Sequence, residues 1–225
     1  MIDAATMLSL LQYGDSAFPA GGFAFSWGIE GLAADGLLDG KADLEQVIDG
    51  QLRLRWNLMD RRLLRRSHAA ADLDGVAAVD RLAEAATPSA EIRAGSHRAG
   101  RALLGISARL GHPLSAEYRR LADADHRLGH LAVAQGLVYR EVGLAVEAAE
   151  LLSGWTLIAG LVSAAIRLAV IGHVEGQHLM QRSRTSLADL LLRAPSLEAP
   201  LSSFTPQIDI AVSRNPARHT RMFAT

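Results

Sequence analysis

"SAEIRAGSHRAGRALLGISARLG", residues 89–111, decides the fold class. Ile92, Ser96, Ala99, Leu103, Ile106 and Leu110 recur at alternating steps of four and three, which places them on one face of an α-helix. Ser89 can cap its start and Gly111 can close its end. Small residues near the start let a neighbouring helix approach closely.

The same period extends in both directions. Upstream, residues 2–13 place Ala4, Met7, Leu8 and Leu11 on one face, and a short helix fits 23–34 before Gly36. Asp43 can open a helix whose stripe runs through Leu44, Val47, Ile48, Leu52 and Leu58 towards Leu64. Another follows Asp74, with Val76, Val79 and Leu82 inward, until Thr87 and Pro88. Downstream, helices fit 115–124, 126–139, 142–152, 154–171 and 174–182, and Ser186 with Asp189 makes a capping-box-like start to "SLADLLLR". No stretch before residue 205 alternates with period two. The expectation is an all-α, single-domain bundle of about ten helices over 1–194. Residues 195–225 hold four of the chain's seven prolines and no helical stripe, which predicts an extended or flexible tail.

Composition excludes several function classes. With 23 basic and 24 acidic residues the net charge is −1, so nothing global draws the chain to nucleic acid or anionic lipid. Cysteine is absent, which removes disulfides, thiol catalysis and thiolate metal sites and suits a reducing cytoplasm. The opening "MIDAATMLSLLQYGD" has acid where an export signal carries base. The uncharged run 151–166 is shorter than the roughly 20 residues of a membrane span, and Arg167 ends it. A buried central helix, with no membrane, is the expectation.

Residues 14–31, "GDSAFPAGGFAFSWGIEG", admit three readings. "GDS" resembles the nucleophile block of one serine esterase class, but that serine needs a preceding strand and an acid-oriented histidine. A helix cap or turn explains it with less. A phosphate loop lacks its lysine here, and "GSHRAGRA" at 95–102 has Arg101 and Ala102 where Lys and Ser or Thr are required. Arg101 reads instead as structural, holding helices through a carboxylate or carbonyl. The third reading is a surface for another protein, because Phe18, Phe23, Phe25 and Trp27 need cover from the fold or from a partner.

Metal and charge motifs are incomplete. His126 and His130 stand four apart, and His173 and His178 flank Glu175, but neither pair brings an obvious third ligand. No metal or cofactor is expected, and each histidine reads as structural or solvent-facing. The arginine run in "RLRWNLMDRRLLRRSH", 53–68, reads as a grip on an acidic partner or as a solvated face.

The stretch "DSAFPAGGFAFSWGIEG" resembles the amino-terminal signature of the UreF family of urease accessory proteins, close to D-S-x-x-P-x-G-x-F-x-x-S-x-G-x-E. Asp15, Ser16, Pro19, Gly22 (with Gly21 beside it), Phe23, Ser26, Gly28 and Glu30 match. "AGRALL" at 99–104 is similar to the family's G-R-x-L-L helix, and "SAAIRLAVIGHVEGQHL" at 163–179 to its A-x-R-L-x-x-x-G-Q-x-x-G-Q helix. "PQIDIA" and "HTRMFAT" resemble its closing P-x-x-D-I and S-R-L-F-x-S. His173 replaces the first glutamine of the G-Q-x-x-G-Q motif while Gln177 keeps the second, and Ala224 and Thr225 replace the final Arg and Ser.

The resemblance implies a non-enzymatic, dimeric, cytoplasmic chaperone that bridges UreD (also called UreH) and the GTPase UreG and modulates nickel delivery to apo-urease. It implies that Asp15, Ser16, Pro19, Gly22, Phe23, Ser26 and Glu30 shape a surface for UreG or the dimer, with Arg167, Gly172 and Gln177 facing the same region. It further implies that Arg221 and Phe223 anchor the tail on UreD. A helical scaffold unrelated to nickel and the esterase are the competing readings.

Overall fold

Helices begin where short polar side chains can accept the first free amides. Asp3 accepts Thr6 N at 2.9 Å, Asp72 accepts Gly75 N at 2.8 Å and Ser89 accepts Ile92 N at 3.3 Å. The computed structural model describes residues 3–19, 25–214, 222 and 223. All regular structure among them is helical, in agreement with the all-α expectation: α1 (Ala4–Gly14), α2 (Ile29–Ala34), α3 (Lys41–Gly50), a π-helix (Gln51–Asp60), α4 (Arg61–Ala69), α5 (Leu73–Ala86), α6 (Ala90–Arg109), α7 (Pro113–Ala124), α8 (Leu131–Glu141), α9 (Val146–Arg167), α10 (His173–Leu191) and α11 (Pro206–Arg214).

Several boundaries differ from the sequence reading; the helix fitted to 23–34 begins only at Ile29, that fitted to 142–152 at Val146, and that fitted to 154–171 ends at Arg167. As the stripe from Leu44 towards Leu64 predicts, α3, the π-helix and α4 form one continuous helical rod, but it opens at Lys41, and Asp43 receives Asp39 N at 2.9 Å from inside its first turn. Gly154 does not divide two helices but lies within α9, because a Cβ there would stand 2.5 Å from Leu187 Cδ1 and 3.0 Å from Trp56 Cζ2. Ser186 lies inside α10 and starts nothing. The segment from His126 is no helix until Leu131, so His126 is exposed while His130 is buried at the N-cap of α8.

Two apolar clusters fill the bundle. The first gathers Met59, Leu63, Leu64, Val76, Leu103, Leu104, Tyr118, Leu137, Val138 and Leu152 from the π-helix to α9. The second gathers Leu32, Ile48, Leu52, Trp56, Ile158, Leu161, Val162, Leu179, Ile208 and Phe223. α9 runs through both, as expected of a central helix. By length and composition it could cross a membrane, yet 56% of its most apolar window is buried inside the fold. Each fully buried large side chain here is worth about 1.5–3 kcal/mol.

α6 packs on α8 at van der Waals contact. A Cβ on Gly100 of α6 would fall 2.2 Å from Gly129 O and 2.8 Å from Leu131 N at the start of α8, and one on Gly136 of α8 would fall 2.4 Å from Leu64 O of α4. The small residues read from the sequence therefore set the closeness of these layers.

The carboxyl-terminal stretch is only partly extended. Residues 192–205 have no regular structure and lie along the rod, where Ser202 N donates to Leu58 O at 3.3 Å and Phe204 N to Leu54 O at 3.1 Å. Arg62 holds Pro200 O at 2.7 Å, and Arg66 holds Leu197 O. Then α11 forms, with Ile208, Ala211 and Val212 buried at helical spacing against α2 and α6. The sequence reading found no stripe there because the buried set is only three residues long.

Candidate functional site

The signature stretch divides into an exposed turn and a buried latch. Asp15 ends α1, its carboxylate accepting Ala17 N at 2.7 Å and its carbonyl accepting Phe18 N at 3.0 Å. This Asx-type turn leaves Asp15, Ser16 and Pro19 exposed, while the Phe18 ring packs 4.5 Å from that of Tyr13. Ser16 follows a helix, and the described residues contain no strand, so the elbow of a serine hydrolase is not built there. Gly22 and Phe23 lie outside the described residues.

The latch begins at Phe25 and Ser26, both buried, the latter completely. Trp27 at φ 50° and Gly28 at φ 93° turn the chain in two left-handed steps into α2. A Cβ on Gly28 would meet Ile208 at 2.9 Å, and one on Gly31 would meet Ala211 O at 2.6 Å, so both glycines admit α11. The Glu30 carboxylate, 7% exposed, accepts the backbone N–H of Met222 at 2.5 Å. Glu30 thus sits beneath Met222, and Ser26 is buried one turn before it in sequence.

Arg167 completes the arrangement from the last turn of α9. Its guanidinium carbon stands 4.2 Å from the centre of the Phe223 ring, a cation–π contact that buries the ring. Gly172 caps α10, donating its N–H to Glu175 at 2.8 Å. Gln177 is exposed one turn further on, 3.9 Å from Met180 Sδ. Gly172 and Gln177 are not brought into contact with the turn. Arg221 lies outside the described residues.

Between turn and tail lies a cleft of about 910 Å³, lined by residues 13–19, by Trp56 and Arg55 of the π-helix, by Ile92 and Ser96 of α6, by the 153–167 face of α9, and by Met222 and Phe223. On its floor Trp56 Nε1 donates to Ser153 Oγ at 3.2 Å, and that hydroxyl donates to Gln135 Oε1 at 2.9 Å. The cleft is apolar along its walls and polar on its floor, and its Arg55–Asp60 ion pair spans 3.4 Å.

Sequence reasoning missed several buried polar groups. The arginine run is used mostly within the chain: Arg61, 1% exposed, pairs with Glu150 at 2.8 Å, and Arg65 reaches the same carboxylate at 3.0 Å. Trp56 of that run is core. Arg101 bonds the carbonyls of His126 and Leu128, the structural role expected of it.

Asp80, fully buried, accepts Tyr118 OH and Gly129 N at 2.6 Å and His130 N at 2.9 Å. Burial pushes its carboxyl up to about 6 against the pull of those bonds. Burial, aided by the neighbouring His97, pushes the His130 imidazole down to about 4. His130 meets Glu84 and His97 outside the cleft, three residues from separate helices that share no sequence motif.

Known proteins give the arrangement a family. The UreF family model matches residues 38–184. The chain is 31% identical to a urease accessory protein UreF of Cereibacter sphaeroides over 97% of its own length and 98% of that protein. It is 28% identical to that of Trichodesmium erythraeum over 99% and 98%, and 28% identical to that of Actinobacillus pleuropneumoniae over 96% and 97%. Nearly complete coverage of both chains, together with the all-helical fold, leaves one assignment: the chain belongs to the UreF family of urease accessory proteins.

Proposed function

We propose that this chain acts in the cytoplasm as a non-enzymatic homodimeric adaptor, bridging UreD (UreH) and the GTPase UreG and modulating GTP-dependent nickel delivery to apo-urease. The observation that carries the reading is the junction of the exposed turn at Asp15, Ser16 and Pro19 with the Arg167–Phe223 clasp across one cleft. A rigid helical body holding a turn and a tail side by side suits a protein that joins two others. Unburied apolar surface supports it: Met7, Leu8 and Leu11 of α1 are 46%, 65% and 63% exposed, and Phe204 and Met222 near the tail are 68% and 55% exposed.

In this reading the turn, with Gly22 and Phe23, faces UreG or the dimer mate, and Gly172 and Gln177 meet the same partner from a separate part of the surface. Ser26 and Glu30, buried in the latch, support that surface from within the fold. Arg221 and Phe223 serve the UreD side, with Arg167 fixing the pose of Phe223. Nickel is cargo, and no resident metal is required of the cleft.

Tagged protein expressed with the urease genes should recover UreD and UreG together. Phe223→Ala should weaken recovery of UreD and spare UreG, and Ser16→Arg should do the reverse. Recovery of neither partner by the unmodified chain would remove the reading. Urease activation reconstituted with and without the chain, with phosphate release followed in parallel, tests the modulation directly.

A further inference from the structure

Glu84 of α5, His97 of α6 and His130 at the start of α8 converge on one point outside the cleft. His97 Nε2 and His130 Nε2 each stand 3.0 Å from the same oxygen, Glu84 Oε2, and the three ligand atoms all lie within 4.8 Å of one another. The two rings pack with centroids 3.9 Å apart.

The outward nitrogens are already occupied. His97 Nδ1 is 3.1 Å from Leu128 O, and a carbonyl can only accept, so Nδ1 carries the hydrogen. With Nδ1 so bonded, the contact between His97 Nε2 and the carboxylate oxygen is bridged either by a second ring hydrogen or by a metal ion that both atoms ligate. His130 Nδ1 is 3.2 Å from Ser96 Oγ, which also accepts Leu131 N at 3.1 Å. The second Glu84 oxygen is held by Arg93 at 3.2 Å. Fixing each ligand through its far atom is how outer partners orient metal ligands.

We infer that Glu84, His97 and His130 form a site for one borderline first-row divalent cation of the zinc or nickel type, with solvent completing the shell. Two imidazoles and a carboxylate are a recurrent donor set for such ions. At ligand distances of about 2.0–2.1 Å a tetrahedral ion sets its donors roughly 3.3–3.4 Å apart, so each of the two 3.0 Å His–Glu84 contacts need open by only a few tenths of an ångström. The side chains of Glu84, His97 and His130 are 25%, 12% and 3% exposed, which leaves the carboxylate side accessible for entry. The site uses no cleft residue except Ser96, as an outer partner, and stands independently of the adaptor reading.

The test is titration of untagged, full-length, chelator-treated protein with Zn²⁺ and separately with Ni²⁺. One ion per chain is expected for at least one of the two metals. His97→Asn, whose amide keeps a donor near Leu128 O but lacks Nε2, and Glu84→Gln should each bind at least about tenfold more weakly. His178→Ala, an exposed position on α10, should bind as the unmodified chain does. Saturable uptake of neither ion, or equal affinity in His97→Asn, overturns the site. Should both variants fail to fold, imidazole NMR signals of the unmodified protein decide: metal-induced change centred on His97 and His130 supports the site, and change confined to other histidines overturns it.

Discussion

Arg61 and Glu150 show how much a single buried pair can organise. Arg61 also bonds Asn57 at 3.0 Å and Leu190 O at 2.7 Å, so one guanidinium ties the rod to α9 and α10. Removing one partner strands the other charge away from water; Glu150→Ala should therefore cost about 3–5 kcal/mol in urea unfolding. Asp80 and His130 set opposing pH dependences. With its folded value near 6, above the unfolded 3.8, Asp80 contributes stability below 3.8 that is lost as pH rises through 6. His130, near 4 against an ordinary 6.5, contributes stability above 6.5 that is lost as pH falls towards 4. Asp80→Asn removes the first and leaves the second, so between pH 6.5 and 4.5 the variant should lose stability on acidification more steeply than the parent, read from urea midpoints. Little of this was legible in the sequence. Asp80, Glu84 and His97 carry no spacing that marks them, because their partners come from other helices, whereas Asp15 and Ser16 were legible because a turn is a local event.

At the scale of elements, helical periodicity located most of the chain, and close packing redrew the boundaries. Gly154 reads as a break because glycine is a poor helix former, yet Trp56 and Leu187 occupy the space a side chain would need. α6 was recognised from its own stripe, and its glycines from their size, since a distant backbone was needed to say what they face. Gly100 faces Gly129 O, a backbone atom unable to give way. Gly100→Ala should lower stability by about 3 kcal/mol, or reduce soluble yield outright, despite the gain in helix propensity. An unchanged thermal midpoint would mean that α6 and α8 are less tightly joined than described. The π-helix left no sequence mark; its carbonyls at Leu54 and Leu58 accept from a segment well over a hundred residues away.

Taken whole, the molecule is closed by its own end: α11 covers α2, and Met222 and Phe223 settle on Glu30 and Arg167. Gly31→Val would press a side chain against Ala211 O, already 2.6 Å from where a Cβ would lie, and should lift α11 away. Faster trypsin cleavage at Arg214, followed by intact mass, is the expected sign; an unaltered rate would show that the seam tolerates the bulk. The closure also has a consequence for synthesis. Ala211 follows Gly31 by 180 residues, roughly ten to forty seconds of translation at about 5–20 residues per second. Throughout that interval the nascent chain carries Ile29 and Leu32 without the helix that later shields them. The amino-terminal motif therefore matures only once α11 has been made, and a message that stalls before residue 206 would yield a chain whose other helices are made but whose first signature is still bare.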